Sequence, residues 1–180
     1  MSVTTSERLS LREVVGKTVV AHTVSYAIIG MIAFQVMSYP TLFAEPGLRG
    51  LMRPTDDPLL VLGPAYQLVR GVVFGVAFHV LRSALFGVRH GWLRIWMLLV
   101  AFGILGTFGP SPGSLEGIFY TTLSWSAHAR GLPEVLLQSL ALSGLVFAWV
   151  GHPERKWLTG TLVVLYALLL GVVVLGLLAA

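Results

Sequence analysis

The chain contains long stretches without a charged side chain, and these constrain its fold more than any other feature. From Thr18 to Ala44, and again from Trp157 to Ala180, no Asp, Glu, Lys or Arg occurs. An apolar helix of about 20 residues crosses the hydrocarbon core of a bilayer, which is about 30 Å thick. The whole chain is 56% hydrophobic and 11% charged, whereas soluble domains are about 25% charged. The sequence therefore predicts an all-α, polytopic transmembrane helical bundle.

Prolines, glycines and charged clusters divide the chain into about five spans. The predicted spans are residues 18–39, 59–81, 92–109, 133–150 and 157–180, with a short helix at about 115–129. The second span begins either at Pro58, with Asp57 as N-cap, or at Pro64, and the fourth begins with Pro133 in its first turn. The short helix is too short to cross, so we expect it to be re-entrant or interfacial. Residues 1–180 form a single integral membrane domain.

The positive charges predict the orientation of the bundle. With the N-terminus in the cytoplasm, eight Lys and Arg residues lie inside and three lie outside, as the positive-inside rule requires. We therefore expect a multi-pass protein of a cell membrane, typical of a bacterial inner membrane, with the N-terminus inside and the C-terminus outside. The basic residues flank apolar segments and form no long tract, so no nucleic-acid partner is expected.

Several kinds of site are excluded or disfavoured by composition. The chain has no cysteine, which excludes disulfides, thiolate nucleophiles, Cys-ligated zinc and iron–sulfur clusters. No phosphate loop, dinucleotide fingerprint or zinc-protease motif occurs. Asp56 and Asp57 alone do not make a metal site, because other oxygen ligands are missing. No catalytic residue, metal site or cofactor is predicted.

Arg70 is the most informative single residue, because it lies within the second span. A charge at this depth costs about 3 kcal/mol on insertion scales and needs a partner or a wet cavity. Gln67 is three residues earlier and shares its helix face. Two interpretations are open. Arg70 either belongs to a polar pocket in the outer half of the bundle, or is a structural residue that ties the second span to Glu116 or to loop carbonyls.

A second group of polar residues follows Ser114. On one helix, Glu116, Tyr120, Ser124 and His128 would share a face, either lining an outward-facing cavity or lying in water on the membrane surface. Gln35 and Gln138 lie near the outer ends of the first and fourth spans. The candidate ligand-binding residues are Gln35, Gln67, Arg70, Glu116, Tyr120 and Gln138.

A third feature is the pair of histidines His22 and His79, near the inner ends of the first two spans. If adjacent antiparallel helices placed them at similar depth, they could hold a b-type haem or share a metal ion. The alternative is that each is an isolated, hydrogen-bonded residue. In the same span, Gly71-x-x-x-Gly75 predicts close helix packing.

These features leave three functions open. The first is a polar cavity, open to the outer face, that binds or passes a small solute. The second is an accessory or assembly subunit of a larger membrane complex. The third is a membrane enzyme that acts on a lipid-linked substrate with Glu116 or His128 as acid or base, although an enzyme is the less favoured interpretation. Besides the lipid bilayer, the expected partners are further copies of the chain or another membrane protein.

Overall fold

A computed structural model describes residues 9–106 and 109–179, and over these residues the regular secondary structure is helical. The helices are α1 (Leu11–Val36), α2 (Tyr39–Ala44), α3 (Gly63–Val80), α4 (Arg82–Leu85), α5 (Gly91–Val100), α6 (Leu115–Tyr120), α7 (Trp125–Gly151) and α8 (Lys156–Ala179). A 3₁₀ helix, Pro58–Leu62, leads into α3, and a π-helical segment, Ala101–Leu105, continues α5. The prediction of an all-helical membrane bundle is confirmed.

The sequence predicts about five spans, and four of them are long helices. In the described part of the chain, four helical segments are long and apolar enough to cross a membrane: Leu11–Val36, Pro58–Val80, Trp125–Gly151 and Lys156–Leu178. The expected third span is a shorter apolar helix, Gly91–Leu105, which reaches only about 22 Å. It ends early because the chain widens into a π turn, in which the Gly106 N–H donates to the Ala101 carbonyl at 2.8 Å.

Helix α1 lies at the centre of the bundle and packs against α3, α7 and α8, while α5 packs on α7. We call the end at which α1 begins the proximal end and the opposite end the distal end. Gly71 lies against the backbone of Val19 and Gly75 against that of Val15, so α1 and α3 are antiparallel. A Cβ at either glycine would stand 2.7 Å from a Cα atom of α1. The predicted close packing at these glycines is confirmed.

Two apolar clusters hold the proximal half together. One joins α1, α3, α5 and α7 through buried residues that include Val14, Phe78, Ile95 and Val146. The other joins α1, α7 and α8 around Trp149. Beside them, Lys17 binds Glu13 at 2.7 Å and donates to the Trp149 carbonyl at 3.0 Å. It thereby satisfies one of the carbonyls left free at the C-terminal end of α7.

Helix starts follow local caps more closely than the charge pattern suggested. Helix α1 begins at Leu11, earlier than predicted, because the Ser10 hydroxyl accepts from the Glu13 N–H at 3.2 Å. Both proposed starts of the second span are used. Asp57 caps the 3₁₀ helix by accepting from the Leu59 N–H at 2.9 Å, and Pro64 lies in the first turn of α3. The predicted N-cap is therefore confirmed.

The predicted short helix at 115–129 is not one helix. Helix α6 ends at Tyr120, because the backbone of Thr121 is extended, with φ −116° and ψ 160°; the Thr121 hydroxyl donates to the Gly117 carbonyl at 2.7 Å. Helix α7 then begins at Trp125, with the Ser124 hydroxyl accepting from the Ala127 N–H. The predicted start of the fourth span at 133 is also corrected, because Pro133 lies inside α7. The polar residues from 116 to 128 therefore share no single helix face.

Candidate functional site

Arg70 lies near the middle of the 23-residue apolar segment Pro58–Val80, and its side chain is exposed on the surface of the bundle. Its Nη1 atom lies 3.5 Å from Oε1 of Gln67, and its guanidinium carbon lies 5.9 Å from the centre of the Phe74 ring. None of the ion pairs between described residues involves Arg70. The structure thus brings Arg70 and Gln67 together, but it does not pair Arg70 with Glu116.

Gln67 is the polar side chain that contacts this cation. The residue is 3% exposed, and its amide nitrogen donates to the Gly63 carbonyl at 3.2 Å. Because that bond defines which side of the amide is the nitrogen, the oxygen is the atom presented to Arg70. The ring of His22, on α1, lies beside both side chains; it is within interaction range of the Gln67 amide but outside the distance and angle limits of a good hydrogen bond. A cation, an amide and an imidazole therefore meet where α1 and α3 are in contact.

Towards the distal end the polar surface continues onto α7. Tyr26 follows His22 by one turn of α1, and its hydroxyl lies over Gly63. Glu134, half-buried on α7, extends one carboxylate oxygen over Gly30 and accepts a hydrogen bond from the Tyr39 hydroxyl with the other. The hydroxyl of Tyr26 is within electrostatic range of both Glu134 and Arg70. We give the name distal groove to the group formed by the buried His22 and Gln67, the half-buried Tyr26 and Glu134 and the exposed Arg70.

Tyr26 and Glu134 are site residues that the sequence analysis missed. A fourth span that begins at Pro133 would put Glu134 in its first turn, at the membrane boundary. The cap at Ser124 is the sequence signal that would have placed this acid inside the helix. Nothing in the local sequence of Tyr26 distinguishes it from a tyrosine at a lipid interface.

The remaining candidate residues lie in three places. Gln138 is half-buried one turn from Glu134 on α7, so its helix position joins it to the distal groove. Gln35 is exposed near the distal end of α1. Glu116 and Tyr120 are exposed on α6, which packs on α7 and on the π-helical segment. Gln35, Glu116 and Tyr120 are therefore not assembled with Arg70.

His22 and His79, one of whose two possible arrangements was a shared site, do not lie together. Because Val19 and Val15 face Gly71 and Gly75 respectively, His79 is level with the start of α1, whereas His22 is level with the region of Gln67. Their Cα atoms are separated along the bundle axis by about eleven residues, or roughly 16 Å, too far for two imidazoles to share one ion. No cluster of three or more metal-ligating side chains occurs within 9–106 and 109–179.

His128 stabilises the local structure at the distal end. It is 3% exposed, its Nδ1 atom accepts from the Gly113 N–H at 3.1 Å, and its Nε2 atom lies 3.4 Å from the Thr121 hydroxyl. An imidazole that accepts at Nδ1 carries its proton at Nε2. His128 thus fastens the loop before α6 to the first turn of α7. A role for it as an enzymatic base gains no support from this arrangement.

A surface cleft of about 830 Å³ lies beside α2 and is lined by residues between Pro40 and Asp57. It contains the ion pair between Arg53 and Asp57, at 2.8 Å, together with Arg49 and Asp56. The hydrogen bond from Arg53, followed by that from the Leu59 N–H, lowers the pKa of Asp57. None of the six candidate binding residues lines this cleft, so it is separate from the distal groove.

No family model, curated protein or solved structure matches this chain. The arrangement of side chains is therefore the only basis for proposing a function. The distal groove combines an exposed cation near the middle of an apolar span, a half-buried acid on α7, and amide, phenol and imidazole groups. Such a set can bind a polar molecule through ionic contacts and hydrogen bonds.

Proposed function

We propose that this chain is a small membrane protein that binds, or passes, a small polar solute at the distal groove. In this proposal the distal end faces outside, and Arg70 binds an anionic or hydrogen-bond-accepting group of the solute. Glu134 and Gln138 contact donor groups of the solute nearer the mouth. The proposal keeps Gln67, Arg70 and Gln138 of the candidate residues and replaces the others with Tyr26 and Glu134.

The exposed guanidinium of Arg70 is the observation that carries this proposal. A cation near the middle of an apolar span is costly, and such residues usually face a partner group or a water-filled cavity. Gln67 presents one neutral oxygen at 3.5 Å, a long and weak contact. Arg70 therefore retains donors for a ligand, and a planar guanidinium is well suited to a carboxylate or phosphate.

Native mass spectrometry of the detergent-purified protein, followed by release of small molecules, tests this proposal. We expect the wild-type protein to carry a small molecule with an anionic group. Arg70→Gln removes a charge-assisted contact of about 1.5–3 kcal/mol and so weakens binding roughly ten- to a hundredfold. Arg53→Gln is the matched control, since it removes an arginine from the exposed ion pair with Asp57.

The Arg70 variant should fold normally, because it replaces an intramembrane charge with a neutral side chain; gel filtration checks this point. A small molecule retained equally by the wild type and Arg70→Gln would contradict the proposed site. An empty wild-type protein that stays stable and monomeric would contradict solute binding altogether.

The exposure of Arg70 also favours a second function, that of a subunit in a membrane assembly. Only 17% of the most apolar part of its span is buried within the chain, so an acid on a neighbouring protein could approach the guanidinium from the side. In that case the same spectra would show a protein partner or a second copy in place of a small molecule, and Arg70→Gln would release it.

A further inference from the structure

Three side chains on α1, those of Thr18, His22 and Thr23, bury polar atoms without a hydrogen-bond partner of good geometry, and the first two share one face of the helix. Thr18 is 0% exposed and His22 is 2% exposed. The Thr18 hydroxyl and both ring nitrogens of His22 form no hydrogen bond of good geometry with the residues that the structure describes, although the Gln67 amide lies close to the His22 ring. Buried polar atoms in folded proteins are nearly always hydrogen-bonded, so three such atoms on adjacent turns need a physical explanation.

These atoms lie on one strip of α1. Positions 18 and 22 are one helical turn apart and differ by only about 40° around the axis. Tyr26 continues the strip into the distal groove. On the other side, the apolar cluster around Val14 and Phe78 closes the bundle below Thr18. This buried strip, which we call the floor, therefore lies between the residues of the distal groove and the apolar cluster.

We propose that Thr18 and His22 bind a small hydroxyl-bearing group at this floor, either a water molecule or a hydroxyl of the solute. A neutral imidazole has one donor and one acceptor nitrogen, and a threonine hydroxyl can donate and accept, so together they satisfy a water molecule. A cation does not suit the site, because Arg70 lies beside His22 and contributes a positive charge. This inference rests on the proposed function in one respect only, the route by which the hydroxyl-bearing group reaches Thr18 and His22.

Radiolytic hydroxyl-radical footprinting of the purified full-length chain tests whether water reaches the floor. Radicals formed from bound water oxidise the nearest side chains, even when these are buried. His128 is the matched control, because it is equally buried at 3% exposure but bonded to Gly113 and close to Thr121. We expect His22 to be oxidised at least severalfold faster than His128. Equal or slower oxidation of His22 in both the wild type and Arg70→Gln would overturn the inference.

The Arg70→Gln variant distinguishes the two sources of the hydroxyl group. If water occupies the floor, His22 is oxidised at the same rate in the wild type and in Arg70→Gln. If a hydroxyl of the solute occupies it, oxidation of His22 accelerates in Arg70→Gln, because water replaces the lost solute. Absence of a copurified solute, with fast His22 oxidation in both proteins, would remove the proposed function and leave the water site.

Isosteric substitutions give a second test through the melting temperature. If Thr18 holds a bound group, Thr18→Val unpairs that group and lowers the melting temperature by several degrees. Thr23→Val is the control, because Thr23 is also 0% exposed and unpartnered among the described residues but lies about 100° around α1 from His22. We expect Thr23→Val to leave the melting temperature unchanged or to raise it. If Thr18→Val left the melting temperature unchanged, or raised it as much as Thr23→Val does, the hydroxyl of Thr18 would bind nothing.

Discussion

Tyr39 joins the turn after α1 to α7 by donating its hydroxyl to the Glu134 carboxylate. Burial raises the pKa of Tyr39, and the hydrogen bond to Glu134 raises it further. A tyrosine in the unfolded chain has a pKa of about 10. Because the folded state favours the neutral phenol, this contact contributes its full stability below about pH 10 and loses it as the pH rises further.

We therefore expect the melting temperature of the wild type to fall above about pH 10 more steeply than that of Tyr39→Phe. At pH 8, Tyr39→Phe should be less stable by about 1–2 kcal/mol, because the carboxylate loses its donor. Thermal unfolding in detergent at pH 8 to 11 measures both effects. Tyr120→Phe is the control, since Tyr120 is 77% exposed. Equal alkaline slopes for wild type and Tyr39→Phe would contradict the assigned contact.

At the scale of single residues, the sequence predicted the contacts that depend on local spacing along a helix. Gln67 and Arg70 are three residues apart on one helix, so their contact follows from helical geometry alone. The proposed link from Arg70 to Glu116 depended on how α6 is placed, which no local pattern fixes. The position of Glu134 in the groove depends on the length of α7 and on the turn at Ser38, whose φ is positive, at 49°. Such tertiary effects are outside the reach of spacing arguments.

At the scale of helices, the contact of α1 with α3 depends on two glycines. A methyl group at Gly71 would stand 2.7 Å from the Cα atom of Val19, and backbone atoms cannot give way as a flexible side chain does. We expect Gly71→Ala to destabilise the bundle by about 1–3 kcal/mol, the usual cost of overpacking, and to lower its melting temperature by several degrees.

Gly171→Ala is the matched control for this prediction, because a Cβ at Gly171 on α8 meets nothing within 4 Å. Thermal unfolding of both variants in the same detergent gives the comparison. If Gly71→Ala unfolded at the same temperature as Gly171→Ala, the close approach of α1 and α3 would not exist in solution.

The limits of α7 show why some helix boundaries escaped prediction. Pro133 and the cap at Ser124 are competing start signals, and the sequence alone favoured the proline because it breaks a helix interior in water. In the structure the helix continues through Pro133, as neighbouring helices allow in membranes. The break before α7 has no proline, and it depends on the contacts of Thr121 with Gly117 and His128. Tertiary contacts of this kind leave no periodic signal.

For the whole molecule, the faces that carry the termini depend on whether a fifth segment crosses beside the four long helices. An even number of crossings would place both ends of the chain on one side of the membrane. The fifth passage is the short segment Gly91–Leu105, which runs antiparallel to α7: Gly91 lies against Phe147, and Gly103 lies near Val135. Helix α8 then starts at the proximal end and finishes beside Val61 at the distal end. The bundle geometry thus favours termini on opposite faces.

The direction follows from the distribution of cations. Arg82, Arg89, Arg155 and Lys156 lie in the proximal connections, and Lys17 lies near that end of α1. The positive-inside rule therefore favours a cytoplasmic proximal end. We expect a fluorescent protein, which matures only inside, to report at the N-terminus, and an enzyme reporter active only outside to report at the C-terminus. Fusions within the connections at 86–90 and 51–56 provide internal controls, inside and outside respectively. Both termini on one face would mean that Gly91–Leu105 does not cross, and a cytoplasmic C-terminus would turn the distal groove inward and remove the outside-facing site.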